Sequence, residues 1–263
     1  MDLRDTCRSL WMTRSALRVQ AELKKWRRRI RWLATESRLG YCPLCEHAAR
    51  FVDTSDNHRE SPICLGCGSV PRQRALVRWL RARFPSLRDV RIHESSPSLC
   101  THQLFSGQSS RYQASYYWPG LANRVVGDFQ NVDLGAQPFA DSGLDLVVTL
   151  DVLEHVPDPM VALREIERTL RSGGLHVFTV PRVAHCETRR RARLTANGFE
   201  HLQRPEYHCD PISRQGTLVV TDWGNDLEAR IAADTSSTCV AEWVCDPSMG
   251  IHTPIEIFTM QKP

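Results

Sequence analysis

Two pairs of cysteines have the spacing of a metal site. Cys42 and Cys45 are separated by two residues, as are Cys64 and Cys67, and 18 residues lie between the pairs. Zn²⁺ prefers four tetrahedral ligands, and a Cys-x-x-Cys turn presents two sulfurs to one ion. The sequence therefore predicts a zinc-ribbon-like module over residues 41–70, in which Cys42, Cys45, Cys64 and Cys67 hold a structural Zn²⁺. Four protein ligands leave no coordination position open for water, which excludes a catalytic role for this ion.

A second set of reactive side chains lies in the stretch LDVLEHVPDP, residues 150–159. Asp151, Glu154 and His155 offer two carboxylates and an imidazole, the groups used in acid–base catalysis and in metal binding. The members of a catalytic triad are usually gathered from distant parts of a chain, and one short segment supplies few convergent metal ligands. The close spacing alone therefore predicts neither a triad nor a metal site.

The periodicity of the apolar residues predicts an α/β scaffold around these groups. Residues 71–85 start and end with proline, and their pattern predicts a linking helix with one apolar face and five arginines, Arg74 among them, on the other. A second helical pattern covers residues 159–170. The predicted strands are VRIH (90–93), RVVGD (124–128), LDLVVTL (144–150), LHVFTV (175–180), CVAEWVC (239–245) and IEIFTMQ (255–261). This order predicts a Rossmann-like, doubly wound and mostly parallel sheet with an antiparallel C-terminal hairpin, preceded by the small zinc-binding module.

Positive charge is concentrated in an N-terminal arm. The net charge of the chain is +4, and residues 1–40 contain 11 Lys/Arg against 4 Asp/Glu, so the rest of the chain is net negative. That balance excludes a main domain built as one broad phosphate-binding surface. Within the arm, LKKWRRRIRWL (23–33) predicts a basic amphipathic helix. This helix either docks on nucleic acid or on an anionic membrane surface, or packs its tryptophans against the main domain.

The remaining composition predicts a cytoplasmic protein. No apolar run approaches the roughly 20 residues of a transmembrane segment, and the first residues lack the apolar core of a secretory signal. The six cysteines outside the zinc module show no disulfide framework spacing, which favours reduced thiols. The predicted organisation is an arm (1–40), the zinc module (41–70) and an α/β domain (71–263).

The segment FADSGLDLVVTLDVLEHVPDPMVALREIERTLRSGGLHVFTVP, residues 139–181, resembles the class I S-adenosylmethionine-dependent methyltransferases of the type 11-like branch. The motifs PFxDxxFDLV, VLEHVxDP and LxxGGxxxxxxP occur in order, with Leu144 at the usual Phe position. The resemblance implies that S-adenosylmethionine binds at the carboxyl edge of the sheet, where Leu150 and Asp151 line its pocket. It also implies that Glu154 and His155 lie on the turn into the next helix. For His155 we favour packing and hydrogen bonding over the role of a base, and the near-neutral pKa of histidine keeps the second alternative open.

The cofactor loop and the two strands after it depart from the family pattern. The loop HESSPSLC (93–100) has serines where the family has glycines, and Ser96 suits this position if its φ angle stays negative. The second strand ends without the acid that usually binds the ribose, so Ser115 or a tyrosine is expected to replace it. For the acid that meets the adenine, the interval to Phe139 favours Asp133 over Asp128. The cofactor-binding residues implied by the resemblance are Glu94, Ser95, Ser96, Ser115, Asp133, Leu134, Leu150 and Asp151.

The acceptor is expected at the long excursion after the fifth strand, residues 181–225, because the loop at this place lies over the substrate in this fold. A hydroxyl nucleophile needs a base, and His208 is the first candidate, with His185 and Tyr207 as further catalytic candidates. The resemblance implies methyl transfer to an oxygen or nitrogen of a small-molecule or glycan-type acceptor. Two alternatives stay open: an RNA-directed methyltransferase that docks through the zinc module and the arm, and a non-catalytic scaffold that retains the fold.

Overall fold

The computed structural model describes residues 37–121, 124–209 and 216–263. The basic helix predicted at residues 23–33 lies outside these ranges. Among the described helices, none has the length and apolar character needed to cross a bilayer. The nine cysteines in the described ranges form no disulfide bonds.

Three short strands form the N-terminal module. They pair as an antiparallel sheet in the order β1-β2-β3, with the bounds β1 Arg38–Cys42, β2 His47–Val52 and β3 Ile63–Cys64. The module begins before the predicted boundary at residue 41, because residues 38–40 pair with β2. Its core consists of the buried side chains of Cys42, Ala49, Phe51 and Cys64. So small an apolar core cannot by itself stabilise three short strands, which makes a metal crosslink physically important here.

Helix α1, Pro71–Arg83, joins the module to the main domain. It starts at a proline as predicted and packs its apolar face against the C-terminal hairpin. The prediction is wrong for Arg74, which is fully buried rather than on the polar face. Its guanidinium donates hydrogen bonds to the backbone carbonyls of Pro62 at 2.7 Å, Gly250 at 3.0 Å and Ser69 at 2.5 Å. Arg74 therefore ties the module to the main domain through three carbonyl groups.

The main domain contains three further helices and fourteen strands among the described residues. The helices are α2 Leu99–Gln108, α3 Pro159–Thr169 and α4 Leu227–Asp234. The strands are β4 Ile92–Ser95, β5 Tyr112–Tyr116, β6 Val125–Val126, β7 Phe129–Asn131, β8 Leu144–Leu150, β9 Leu170–Thr179, β10 Arg189–Arg190, β11 Ala192–Thr195, β12 Gly198–His201, β13 Tyr207–His208, β14 Thr217–Leu218, β15 Thr221–Asp222, β16 Thr238–Asp246 and β17 Ile251–Gln261.

Eight of these strands form the central sheet, in the order β16-β17-β9-β8-β4-β5-β7-β6. Strands β4, β5, β7, β8 and β9 run parallel, and β17 is antiparallel to both β9 and β16. The predicted mostly parallel sheet with an antiparallel C-terminal hairpin is confirmed. The third parallel strand is β7 rather than the predicted RVVGD, because Val125 and Val126 form only an edge pairing with β7.

Each face of the sheet has its own apolar core. Leu146 and Val148 of β8 pack on the side of α1 and α2, whereas Val147 packs on the side of α3 and α4. This alternation follows from the two-residue period of a strand. Because β4, β5, β7 and β8 run parallel, the loops that follow them emerge together at one border of the sheet. This border is called the carboxyl edge below, and it is where open α/β sheets bind ligands.

Within its described residues, 181–209 and 216–225, the excursion contains three small antiparallel strand pairs instead of remaining a loop. Strand β10 pairs with β15, β11 with β12, and β13 with β14. The Val220 amide donates to the Glu154 carbonyl at 2.7 Å. This bond fixes the excursion against the turn that follows β8.

Candidate functional site

The loop after β4 adopts a glycine-like backbone. Ser96 does not meet the condition of a negative φ, since its φ is +54°, in the left-handed region that glycine enters most easily. A serine pays about 1 kcal/mol for this conformation. The Ser96 amide donates to the Ser115 carbonyl at 2.7 Å, which fixes the loop against β5. The Ser98 hydroxyl accepts the Thr101 amide at 3.2 Å, so it caps helix α2.

The acid of this loop, Glu94, lies in β4 and is not exposed at the carboxyl edge. Its side chain is buried, and the Tyr112 hydroxyl donates to its Oε2 at 2.7 Å. Burial raises the pKa of Glu94 to about 7, against the opposing effect of hydrogen bonds from Thr101 and Tyr112. Ser95 is buried as well. Both residues therefore support the loop from inside the sheet.

The second strand does not present Ser115 to a ligand. Ser115 and His93 are buried, and the Ser115 hydroxyl lies 2.8 Å from His93 Nε2. The expectation that Ser115 replaces the ribose acid is therefore corrected. The Tyr116 hydroxyl donates to a backbone carbonyl of the loop after β4. Tyr117 is 49% exposed at the end of β5, and burial together with the nearby Asp133 raises its pKa, so Tyr117 is the better placed of the two tyrosines.

Asp133 follows β7 and is exposed at the carboxyl edge. Its Oδ1 accepts the Gly135 amide at 2.8 Å, which orients the carboxylate. Asp128 lies in the turn before β7, at the opposite end of the strand. Leu134 is buried next to Asp133. The chain thus brings Asp133, and not Asp128, to the carboxyl edge, where β4 and β8 end.

Asp151 directly follows β8, and it has an unusual backbone conformation and two ion pairs. Its φ is +53°, and Leu150 before it is partly buried. The Thr179 hydroxyl donates to Oδ1 at 2.7 Å, Arg59 Nη2 lies 2.5 Å from Oδ1, and Arg72 Nε lies 3.2 Å from Oδ2. Burial opposes ionisation of Asp151, but the charges of Arg72 and Arg59 keep its pKa below the ordinary value.

These two arginines come from outside the central sheet. Arg59 belongs to the N-terminal module, and Arg72 is at the start of α1, where it also pairs with Glu60. The module therefore contacts the carboxyl edge directly. Nothing in the local sequence around either arginine predicts this contact.

Glu154, three residues after Asp151, is a fully buried carboxylate. Neither of its oxygens has a hydrogen-bond partner among the described residues. Burial, and then the charge of Asp151, raise the pKa of Glu154 well above its ordinary value. Buried carboxylates are normally paired, so Glu154 requires an explanation.

Two imidazoles face this carboxylate. His155 Nε2 lies 3.7 Å and His208 Nδ1 lies 3.8 Å from Glu154 Oε1, and the rings meet edge to face with centroids 5.1 Å apart. The side chain of His155 is 14% exposed and that of His208 is 35% exposed. The sequence interpretation treated His155 as a packing residue, because it could not show that the excursion brings His208 to the same place.

The other two catalytic candidates lie outside this cluster. His185 is exposed in a turn with a φ of +61°. Tyr207 precedes His208 in β13 and is 54% exposed, and successive side chains of a strand point to opposite sides. Of the three predicted residues, His208 is therefore the one that the fold brings next to the carboxyl edge.

The four cysteines of the module form a compact sulfur cluster. The Sγ atoms of Cys42 and Cys67 are 3.7 Å apart, as are those of Cys45 and Cys64, and all four lie within 4.8 Å of one another. A tetrahedron of sulfurs around Zn²⁺, with Zn–S bonds of about 2.3 Å, has edges of about 3.8 Å. The sulfur positions thus match a tetrahedral zinc site.

The two Cys-x-x-Cys turns repeat the same backbone geometry. Glu46 and Gly68, each following the second cysteine of its pair, have φ angles of +61° and +80°. Their amides donate to the carbonyls of Cys42 and Cys64, both at 2.8 Å. At Gly66 a β-carbon would lie 3.0 Å from the Cys45 sulfur, so glycine permits the close approach.

Arg74 lies beside this cluster and balances its charge. Burial lowers the pKa of Arg74, whereas the neighbouring Cys42, Cys64 and Cys67 raise it. Ser69 connects the two features, since its hydroxyl lies 3.5 Å from Cys42 Sγ and 3.4 Å from Arg74 Nη1. Four thiolates and one Zn²⁺ carry two net negative charges, so a buried cation is electrostatically favourable at this place.

Part of the α/β domain is similar to known methyltransferases. Residues 99–178 match the family model described as a methyltransferase domain. Two proteins described as uncharacterized methyltransferases, from Mycobacterium sp. strains KMS and MCS, are each 38% identical over 60 residues, which are 23% of this chain and 24% of theirs. The chain thus spans about a quarter of the length of these curated relatives.

Solved structures of methyltransferases are also similar to the chain. An S-adenosylmethionine-dependent methyltransferase from Mesorhizobium loti has 14% identity and a TM-score of 0.47, with 72% of this chain and 98% of that chain covered. The complex between the Haloferax volcanii Trm112 methyltransferase activator and a methyltransferase gives 13% identity, a TM-score of 0.49, and coverage of 73% and 91%. The segment matched by the family model runs from α2 to β9, and it contains Asp133, Asp151 and Glu154.

Proposed function

We propose that this chain, which contains a class I methyltransferase domain, is an S-adenosylmethionine-dependent methyltransferase that modifies a small-molecule or glycan-type acceptor. The observation that carries the proposal is the arrangement of Ser96, Asp133 and Asp151 at the ends of three parallel strands, on one edge of the sheet. Bound at this edge, the cofactor supplies a methyl group attached to a positively charged sulfur.

The residues at the carboxyl edge fit this cofactor. The left-handed backbone of Ser96 lets the chain approach a ligand as glycine does. The exposed carboxylate of Asp133 would accept a hydrogen bond from the adenine amino group, and the hydroxyl of Tyr117 would donate to a ribose oxygen. Asp151 is held in place by Thr179 and by two arginines, so it forms a fixed part of the pocket for the methionine portion of the cofactor.

The acceptor approaches where the excursion meets this edge. Glu154, His155 and His208 converge there, next to Asp151, and the excursion is bonded to the turn that carries Glu154. In-line transfer requires the acceptor atom to be held in a fixed orientation next to the cofactor. We assign the task of holding and activating the acceptor to this cluster, with His208 as the residue nearest to solvent.

The arginines of α1 and of the excursion support a small acceptor over a nucleic acid. A phosphate-binding surface needs cations whose charge is not already offset by acids of the same chain. Five of these arginines form ion pairs within the chain: Arg78–Asp246, Arg81–Glu46, Arg83–Glu242, Arg191–Asp222 and Arg193–Glu200.

The module completes the proposal. We assign a structural Zn²⁺ to its four cysteines, on the basis of the sulfur separations given above. Reduced cysteines and zinc fit the cytoplasmic location expected from the sequence. The role of the arm, as a dock for nucleic acid or for an anionic membrane surface, stays a prediction.

Calorimetric titration of the zinc-loaded full chain with S-adenosylmethionine tests the proposed function. We expect Asp133→Ala to weaken binding by roughly 10- to 100-fold, because a hydrogen bond to a charged group contributes about 1.5–3 kcal/mol. Asp128→Ala is the matched control, since Asp128 lies at the other end of β7, and it should bind like the original chain. A folded chain that binds no S-adenosylmethionine would refute the proposal and support the scaffold alternative.

A further inference from the structure

The starting point is the buried carboxyl group of Glu154. Both of its oxygens are buried and lack hydrogen bonds within the described ranges. Removing a carboxylate from water without a partner costs several kcal/mol, and proteins usually avoid this by adding a hydrogen bond, a cation or a metal ion.

The nearby arginines do not supply the missing partner. Arg59 is bonded to Asp151, and Arg72 is shared between Asp151 and Glu60. Glu206, near His208, is already paired with Arg191 at 3.2 Å. Glu154 is therefore the acid of this region that none of these arginines pairs with.

The imidazoles stand at distances suited to a shared ion rather than to direct hydrogen bonds. The separations of 3.7 and 3.8 Å between their nitrogens and Glu154 Oε1 exceed the range of a hydrogen bond. Two ligands on one ion, each at about 2.1 Å, lie about 3.0–3.4 Å apart. A shift of about half an ångström would thus bring each imidazole nitrogen to this separation from Glu154 Oε1.

The hydrogen bond of His155 prepares its ring for this role. Nδ1 lies 2.9 Å from the Leu218 carbonyl, which can only accept, so Nδ1 carries the proton. Nε2 therefore presents its lone pair on the side of Glu154. A backbone carbonyl that orients the imidazole in this way is typical of histidines that bind metals.

We propose that Glu154, His155 and His208 bind a divalent transition-metal ion such as Zn²⁺, at a site separate from the four cysteines. Two imidazoles and one carboxylate are a donor set that zinc accepts, and three protein ligands leave coordination positions open. The sequence interpretation that this region supplies too few ligands is corrected, because β13 adds His208 to the pair after β8.

This site deepens the proposed function and rests on it. The positions of the ion that the protein leaves open would accept the oxygen of the acceptor. The charge of the ion would make a bound hydroxyl more acidic, so that its proton could pass to solvent water. The oxygen would then use its electron pair to form the bond to the methyl carbon, while the bond between that carbon and the sulfonium sulfur breaks and the sulfur keeps that electron pair. The acceptor class is thereby narrowed to molecules whose reacting group is a hydroxyl that can bind a divalent cation.

Metal stoichiometry of the full chain tests the site. After equilibration with excess Zn²⁺ and removal of free metal, we expect Glu154→Gln and His208→Ala each to retain one zinc fewer per chain than the original. Glu206→Gln is the matched control, because Glu206 lies 3.6 Å from His208 on the other side of the ring and is not a proposed ligand. Equal zinc content in the original chain and in Glu154→Gln would overturn the proposal.

Substitution by Co²⁺ separates this site from the cysteines. Thiolate ligands give an intense sulfur-to-cobalt charge-transfer absorption, which a site of two imidazoles and one carboxylate lacks. We expect Glu154→Gln to lose only weak visible bands and Cys64→Ser to lose the charge-transfer absorption. His208→Ala should fold normally, since His208 is partly exposed in a short hairpin, and circular dichroism checks this.

The two proposals fail in distinguishable ways. Titration with S-adenosylmethionine needs no metal at Glu154, so a chain that binds the cofactor but no second zinc refutes only the metal site. A chain that binds the second zinc but no S-adenosylmethionine refutes the proposed function and leaves the metal site standing.

Discussion

Substitution of Arg74 tests how the zinc module is attached to the main domain. Arg74→Met keeps an apolar stem of similar length but removes the guanidinium that donates to three buried carbonyls. A buried acceptor that loses its partner costs about 1–3 kcal/mol. Such terms are not additive, and removing a buried charge also removes its own desolvation penalty. We therefore expect the free energy of unfolding to fall by about 3–4 kcal/mol.

Thermal unfolding followed by circular dichroism measures this loss. A change of about 3 kcal/mol lowers the midpoint by roughly 6–12 °C in a domain of this size. Arg78→Met is the matched control, because Arg78 lies one turn later in α1 and makes a half-exposed pair with Asp246 at 3.0 Å. Such a pair contributes less than about 1 kcal/mol. Equal midpoints for the two variants would refute the role assigned to Arg74.

Three further predictions concern the metal, a buried acid and a glycine. Cys64→Ser should lose the zinc of the module in metal analysis, whereas Cys245→Ser, at an exposed cysteine outside the cluster, should keep it. The pKa of Glu94 lies at about 7 in the folded state against an ordinary 4.5, so ionisation opposes folding, and stability should fall by about 3 kcal/mol as the pH rises through that range. Glu94→Gln should lose this slope in urea midpoints, and an unchanged slope would contradict the assignment. Gly250→Ala should lower the thermal midpoint more than Gly120→Ala, because both have a positive φ but only at Gly250 would a β-carbon meet an aromatic ring, at 2.9 Å. Equal midpoints for the two variants would show that the positive φ alone, and not the contact with the ring, determines the loss of stability.

The sequence predicts those parts of the fold whose position is determined by neighbouring residues, such as a continuous apolar run or a helix cap. Strand β8 has the predicted bounds, because seven consecutive residues suit a strand buried on both faces. Helix α3 follows Asp158, which caps it, and Pro159, which begins it. Strand β7 has only three residues and little apolar character, so its place depends on pairing with β5 and not on its own sequence.

The cysteine cluster and the cluster of Glu154, His155 and His208 also differ in how far the sequence predicts them. The four cysteines could be predicted from spacing, since each pair lies in one turn and the turns share one small module. Glu154 and His155 are adjacent in sequence, but His208 reaches them only through the hairpin of β13 and β14. A contact between segments so far apart depends on tertiary packing, and no local pattern around His208 reports it.

The contact of Arg59 and Arg72 with Asp151 has a consequence for the function of the module. The position of Arg59 depends on a module whose own core is too small to hold it, so the metal at the cysteines indirectly fixes this charge. Without Arg59, the buried Asp151 would keep only Arg72 as a neighbouring cation. The negative charge of Asp151 would then act more strongly on Glu154. The module therefore belongs to the electrostatics of the carboxyl edge, and its zinc would influence the ligands that the edge can bind.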